Sequence, residues 1–189
     1  MRLFAAIELD TGVTDRLLRL QRELNLPSAA VRWISAAQMH LTLKFLGEVA
    51  DGEVDDVCAA LKLAADATPA FEVDVTGVGC FPPGGPVRII WAGLSEPTGA
   101  LVACQQRCDE ALAETGFKPE TRAFTPHLTI GRVRDSSASA AIRAAVSRVR
   151  AFEGGRQGVD EIVLFESLLK REGATYVALC RCPLATERG

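Results

Sequence analysis

Two stretches decide how this chain folds: His40-Leu41-Thr42-Leu43-Lys44-Phe45-Leu46-Gly47 and His127-Leu128-Thr129-Ile130-Gly131-Arg132-Val133. The chain holds only two histidines, and each opens the same tripeptide, His-Leu-Thr. In an extended strand successive side chains point to opposite faces. His40, Thr42 and Lys44 are therefore expected on one face, with Leu41, Leu43 and Phe45 on the other. His127 and Thr129 oppose Leu128 and Ile130 in the same way. Each stretch reads as a strand with one face for a core and one for chemistry.

Working outward, residues 1–9 alternate as a strand, and Val13, Leu17, Leu20 and Leu24 recur at helical spacing behind the plausible caps Asp10 and Thr11. The strand Met39 to Gly47 is followed by an acidic stretch, Asp51 to Asp56, and a helix carrying Val54, Val57, Cys58 and Leu61. Phe71, Val73 and Val75 mark a third strand. The segment Gly79 to Pro86, GCFPPGGP, holds three prolines and three glycines and reads as a loop connecting two lobes. The same order then returns: strand Val87 to Leu94, helix with Leu101, Cys104, Cys108 and Leu112, strand His127 to Val133, helix with Ile142, Val146 and Val149, strand Val159 to Phe165. Strand starts, motifs and helix openings all repeat at an offset of about 86 residues. A last strand, Ala174 to Cys182, follows an expected turn at Arg171, Glu172 and Gly173. The expectation is a single domain, 1–189, of α+β class. It is bilobal, with an internal repeat over residues 1–80 and 87–166, a duplicated βαβαβ-like unit. Two sheet-plus-helix lobes are related by a pseudo-twofold axis around a central cleft.

With 189 residues, 48% hydrophobic and 24% charged, the chain can bury a core without a staple. Twenty-one basic against 24 acidic side chains leave a net charge of −3, which excludes a protein that coats nucleic acid by overall charge. A polyanionic substrate must meet a local basic cluster. Arg2, Glu8 and Asp10 interrupt the apolar N-terminus, so neither export nor a membrane span is expected, and the expected location is cytoplasmic. The six cysteines, at 58, 80, 104, 108, 180 and 182, include no CxxC pair and read as reduced thiols. Cys104 and Cys108, one helical turn apart, and Cys180 and Cys182, on one strand face, read as core packing ahead of metal or redox work. There is no third histidine, no HExxH and no nucleotide-binding glycine fingerprint, so no metal and no cofactor is expected. The chain is expected to act as a monomer.

Imidazole gives and takes protons near neutral pH, with an unperturbed pKa of about 6.5. Two of them facing one volume supply an acid and a base. Thr hydroxyls and nearby cations hold the non-bridging oxygens of a phosphate. The combination fits in-line phosphoester cleavage. Lys44 has the right parity but reads equally as a solvated strand residue. Arg88, Arg122 and Arg134 read as a basic rim for RNA or as surface charges. Trp91 and Phe81 offer rings for base stacking, with core packing the favoured reading for Trp91.

The paired HLT motifs, their separation, the start MRLFAAIEL, the segment FTPHLTIGR, the middle stretch FPPGGPVRIIWAGL and the GATYVAL run from Gly173 to Leu179 resemble the 2H phosphoesterase family. The closest likeness is to its RNA 2',3'-cyclic phosphodiesterase branch, historically linked to 2'-5' RNA ligation. The resemblance implies a bilobal fold and metal-independent hydrolysis of RNA 2',3'-cyclic phosphate ends, or of small cyclic nucleotides, to 2'-phosphates. It also implies roles: His40 as proton donor, His127 as proton acceptor, and Thr42, Thr129 and Arg132 as phosphate contacts. The two motifs are locally alike, and their residues alone do not order the histidines. Strict alternation puts Arg132 opposite His127, so the role requires a bulge near Gly131 or a long reach. Two other readings remain open: a non-catalytic module that binds RNA ends or nucleotides, and a 2'-5' RNA ligase running the same chemistry in reverse.

Overall fold

Strand β1 (Arg2–Glu8) is buried on both faces along its middle, as its unbroken apolar run Leu3 to Ile7 requires, and so lies inside a sheet. Its neighbours are β3 (His40–Glu48) on one side and β8 (Glu161–Lys170) on the other, with β9 (Gly173–Pro183) beyond, giving the order β3-β1-β8-β9. The second sheet has the order β2-β6-β5-β4-β7, formed by β2 (Val31–Trp33), β6 (His127–Val133), β5 (Ile89–Ser95), β4 (Phe71–Phe81) and β7 (Glu153–Val159). Every ladder in both sheets is antiparallel. This computed structural model describes residues 1–170 and 173–186, and the expected turn at Arg171 and Glu172 lies outside the described residues.

Among the described residues, four α-helices cover the sheets on their apolar sides. α1 (Thr11–Leu24) buries Val13, Leu17, Leu20 and Leu24, and α4 (Ser139–Arg148) buries Ile142, Ala145 and Val146, both on the second sheet. α2 (Val54–Asp66) and α3 (Ala100–Glu114) lie side by side on the first. Fully burying one such aliphatic side chain contributes about 1.5–3 kcal/mol. The architecture is the expected α+β bilobal one, two sheets each flanked by helices.

The lobes are nevertheless not the two halves of the chain. β4, from the first half, lies between β5 and β7, while β8, from the second, lies between β1 and β9. α1 and α3 likewise cover the sheet opposite to that of the strand preceding them. Neither half has a complete sheet to bury its helices on, and one apolar cluster runs through both lobes, from Leu3 to Leu184. The motif strands β3 and β6 meet where the lobes join.

Three element boundaries depart from the sequence expectation. β4 continues through Gly79, Cys80 and Phe81, and the loop begins only at Pro82. Gly79 pairs with Trp91, whose ring lies across it; a Cβ at Gly79 would sit 2.2 Å from that ring. The strand expected at Val159 to Phe165 is two strands turning at Asp160, β7 and β8. β2 is a further strand. Cys104 and Cys108 are fully buried in α3, in the core as expected.

Candidate active site at the junction of the motif strands

The two motif strands carry the same backbone irregularity. Thr129 pairs with Trp91 and Gly131 with Ile90, so Ile130 is an extra residue against β5. Thr42 pairs with Ala6 and Lys44 with Ala5, so Leu43 is an extra residue against β1. Both are β-bulges three residues after the histidine, and each reverses the side-chain alternation beyond it. In β6 the bulge returns Arg132 to the face of His127 and Thr129, which meets the requirement set by its parity. Gly131 belongs there because a Cβ would sit 2.9 Å from Val31 of β2. The bulged Ile130 carbonyl accepts hydrogen bonds from the Ile34 N–H and from buried Gln21 of α1 at 2.9 Å.

In β3 the same bulge overturns the face expected for Lys44. Its side chain turns inward, only 7% exposed as a residue, and pairs with Asp109 of α3 while donating to the Lys118 carbonyl at 2.8 Å. It is neither a site residue nor a solvated one. Phe45 takes the other face and is 67% exposed, beside Phe4. Phe45 and Arg132, each five residues past a histidine, occupy equivalent places in the two strands.

Both imidazoles are held alike. His40 Nδ1 lies 2.9 Å from the Gln38 carbonyl, and His127 Nδ1 lies 2.8 Å from the Thr125 carbonyl. A carbonyl only accepts, so each Nδ1 carries a proton and each Nε2 is left to exchange one. Each ring also meets an aromatic edge: Tyr176 of β9 at 5.2 Å from His40, and Phe81 at 5.2 Å from His127. His40 further packs on Phe4 at 4.7 Å, on the face of the first sheet that Phe4, Phe165 and Tyr176 line. Trp91, paired with Thr129 and beside Phe81, faces the site and not the core.

Burial in this aromatic setting lowers the His40 pKa to about 4, against the pull of the Gln38 carbonyl and with help from the Arg132 charge. β6 meets β3 at this junction, which brings the Arg132 charge to bear on His40. The lowering also couples stability to pH. The unfolded chain takes up this proton near 6.5 and the folded chain only near 4, so between those values the unfolded state binds more protons. Stability falls as pH drops through that window and levels off below it. Between pH 7 and pH 5 this one residue is expected to cost about 2 kcal/mol. Urea unfolding at both pH values checks it: His40→Gln is expected to flatten the pH dependence by that amount, and an unaltered dependence would exclude a buried, neutral ring.

The sequence pattern of the 2'-5' RNA ligase superfamily matches residues 14–171. The chain belongs to that superfamily. Within these 2H phosphoesterases it lies in the RNA 2',3'-cyclic phosphodiesterase branch. It is 30% identical over 176 residues to the RNA 2',3'-cyclic phosphodiesterase of Methanothermobacter thermautotrophicus, covering 93% of this chain and 95% of the relative. The Escherichia coli K12 protein of the same name is 28% identical over 141 residues, 75% of this chain and 76% of that one. Among solved structures, TT0787 of Thermus thermophilus superposes with a TM-score of 0.84 at 26% identity, covering 100% of both chains. E. coli LigT complexed with 3'-AMP gives 0.75 at 26% identity, covering 97% of this chain and 98% of that one.

On this superfamily scaffold Thr42, Thr129 and Arg132 share the faces of their histidines; Arg88, whose carbonyl accepts the Val133 N–H at 2.9 Å, and Arg122 are exposed. Among the described residues no group of three His, Cys, Asp or Glu is placed to hold a metal ion, and no helix is long and apolar enough to cross a membrane. The Gln38 and Thr125 carbonyls were not legible as site groups, since a backbone acceptor leaves no mark on residue type.

Proposed function

We propose that this chain opens 2',3'-cyclic phosphodiester ends of RNA to 2'-phosphomonoesters, without a metal ion, using His40 as proton donor and His127 as proton acceptor. The matched Nδ1–carbonyl hydrogen bonds carry the reading, because they leave two Nε2 atoms on like strands at one junction. The relatives' shared name supports the substrate class. A water oxygen attacks phosphorus and passes its proton to His127 Nε2; the bond from phosphorus to the 3' oxygen breaks; that oxygen takes a proton from His40 Nε2. Arg132 and the Thr42 and Thr129 hydroxyls hold the non-bridging oxygens, where negative charge builds. Proton exchange with solvent resets both rings.

One observation favours a second reading with the roles exchanged. At a pKa of about 4 the resting His40 ring is neutral, the state of an acceptor. An anionic phosphate seated against it and Arg132 removes part of the cause of that lowering and lets His40 take up the proton that a donor needs.

The test is the product formed from an oligonucleotide ending in a 2',3'-cyclic phosphate, incubated with chelator. A 2'-phosphate end at an undiminished rate is expected. A 3'-phosphate end would show that the other ester bond breaks, and a rate abolished by chelator would remove the metal-free mechanism.

A further inference from the structure

β2 is the edge of the second sheet, and its register places Arg32 directly opposite Arg132. Arg134 follows two residues along the same chain, exposed like Arg132. Like charges opposite one another on antiparallel strands are destabilising. Among the described residues none of the three arginines forms an ion pair with a carboxylate. Such a cluster in a chain of net charge −3 calls for an anion.

Arg32 and Arg134 line a groove of about 420 Å³, within the range of about 300–1,000 Å³ usual for small-ligand sites. Its opposite wall comes from the first lobe: Gln38, Ala174 and Tyr176. The Arg32 guanidinium spans the groove, 3.9 Å from where a side chain on Gly173 would begin, and Gln38 ties the far wall by donating to the Ala174 carbonyl at 2.6 Å. Gln38 and Tyr176 are the same residues that support His40. The groove is therefore the continuation of the site on the His40 side, and Trp33 adds an indole to its lining.

In-line displacement puts the water and the departing oxygen on opposite sides of phosphorus. With His40 beside the departing 3' oxygen, the ribose and the chain attached to its 5' carbon lie on the His40 side. We propose that this groove binds the phosphodiester immediately 5' of the reacting nucleotide through Arg32 and Arg134, so that the protein selects single-stranded oligoribonucleotide ends over nucleoside cyclic phosphates. The proposal rests on the donor role given above to His40.

The experiment compares kcat/KM for three substrates: a nucleoside 2',3'-cyclic phosphate, the same nucleoside carrying a 5'-phosphate, and a dinucleotide with the same end. Wild type is set beside Arg32→Gln, Arg134→Gln and the double variant. The dinucleotide is expected to be favoured in wild type, with a log–log salt slope steeper by about 0.7 for the one added phosphate. Each substitution is expected to lower kcat/KM on the dinucleotide by roughly 10-fold or more, the worth of a charge-assisted contact, through KM and not kcat. If the 5'-phosphorylated nucleoside gains as much as the dinucleotide, the groove reads phosphate alone, and selection of oligonucleotides is overturned. Equal losses on all three substrates, or none, overturn the proposal as a whole. Absence of turnover by wild type on any cyclic phosphate would instead remove the reading on which it rests, so the two failures are distinct.

Discussion

Replacing His127 with Ala is expected to lower kcat on a 2',3'-cyclic phosphate by about 10²- to 10⁴-fold, and replacing His40 with Ala to do the same. The two effects are not expected to add. Proton removal and proton delivery serve one displacement, and when one fails the other has little left to assist. A substrate whose leaving group departs without a proton separates the roles. On a 4-nitrophenyl phosphodiester the stable phenolate leaves as an anion, so loss of the donor should cost little while loss of the acceptor still costs most of the rate. His40→Ala is expected to recover toward wild type on this substrate, and His127→Ala is not. The opposite pattern would exchange the assignments, and full activity of both variants on the cyclic substrate would end the paired-imidazole mechanism. The pH profile adds a test of the site but does not separate the roles: the lower limb of kcat/KM, which reports the free protein, should lie near pH 4 whichever imidazole gives the proton. In kcat it should move upward, because bound phosphate brings negative charge to His40. Arg132→Gln should raise the kcat/KM limb as well, by removing one of the causes that hold it down.

How much of this site the sequence disclosed depended on what each residue type betrays. The period-2 pattern of His127 to Ile130 is visible because polar and apolar residues alternate cleanly, and the oddity of Arg132 beside Gly131 by itself signals a bulge. No glycine marks the equivalent bulge at Leu43, so strict alternation misplaced Lys44 and hid Phe45. The fifth residue after His40 obeys the same rule as the fifth after His127, and that parallel between the motifs was the signal that could have placed both. β7 carries no strand signal in its sequence, because Gly154, Gly155 and Gly158 leave it little apolar alternation and its ladder rests on backbone groups. The exchange of β4 and β8 between lobes was out of reach for a different reason. Local periodicity says which face of a strand is buried, not which strand lies beside it. Arg32 is not legible as a site residue because a three-residue edge strand is too short for a period to register.

Asp109→Ala is expected to destabilise the fold by about 3–5 kcal/mol, a larger change than any surface charge would produce. Lys44 sits in a side-chain environment only 5% exposed, and Asp109 in one 16% exposed, so removing the carboxylate strands an ammonium group away from water. The same carboxylate accepts the Glu120 N–H at 3.1 Å, and Lys44 donates to the Lys118 carbonyl. The ion pair thereby fastens the first motif strand to the segment that leads into the second. A double variant, Lys44→Met with Asp109→Leu, separates the two contributions. Apolar replacement of both partners leaves no buried charge and is expected to restore most of the lost stability, since the pair's mutual attraction largely offsets its own desolvation. It does not restore the acceptor for Glu120 N–H or the donor to Lys118. If those contacts position the approach to Thr125, whose carbonyl orients His127, the double variant should unfold near wild-type denaturant concentrations yet turn over substrate more slowly. Chemical denaturation and steady-state kinetics on the one preparation read both. A stable double variant with wild-type kcat would confine the pair to holding the fold, and an Asp109→Ala variant as stable as wild type would show that the Lys44 ammonium reaches water without its partner.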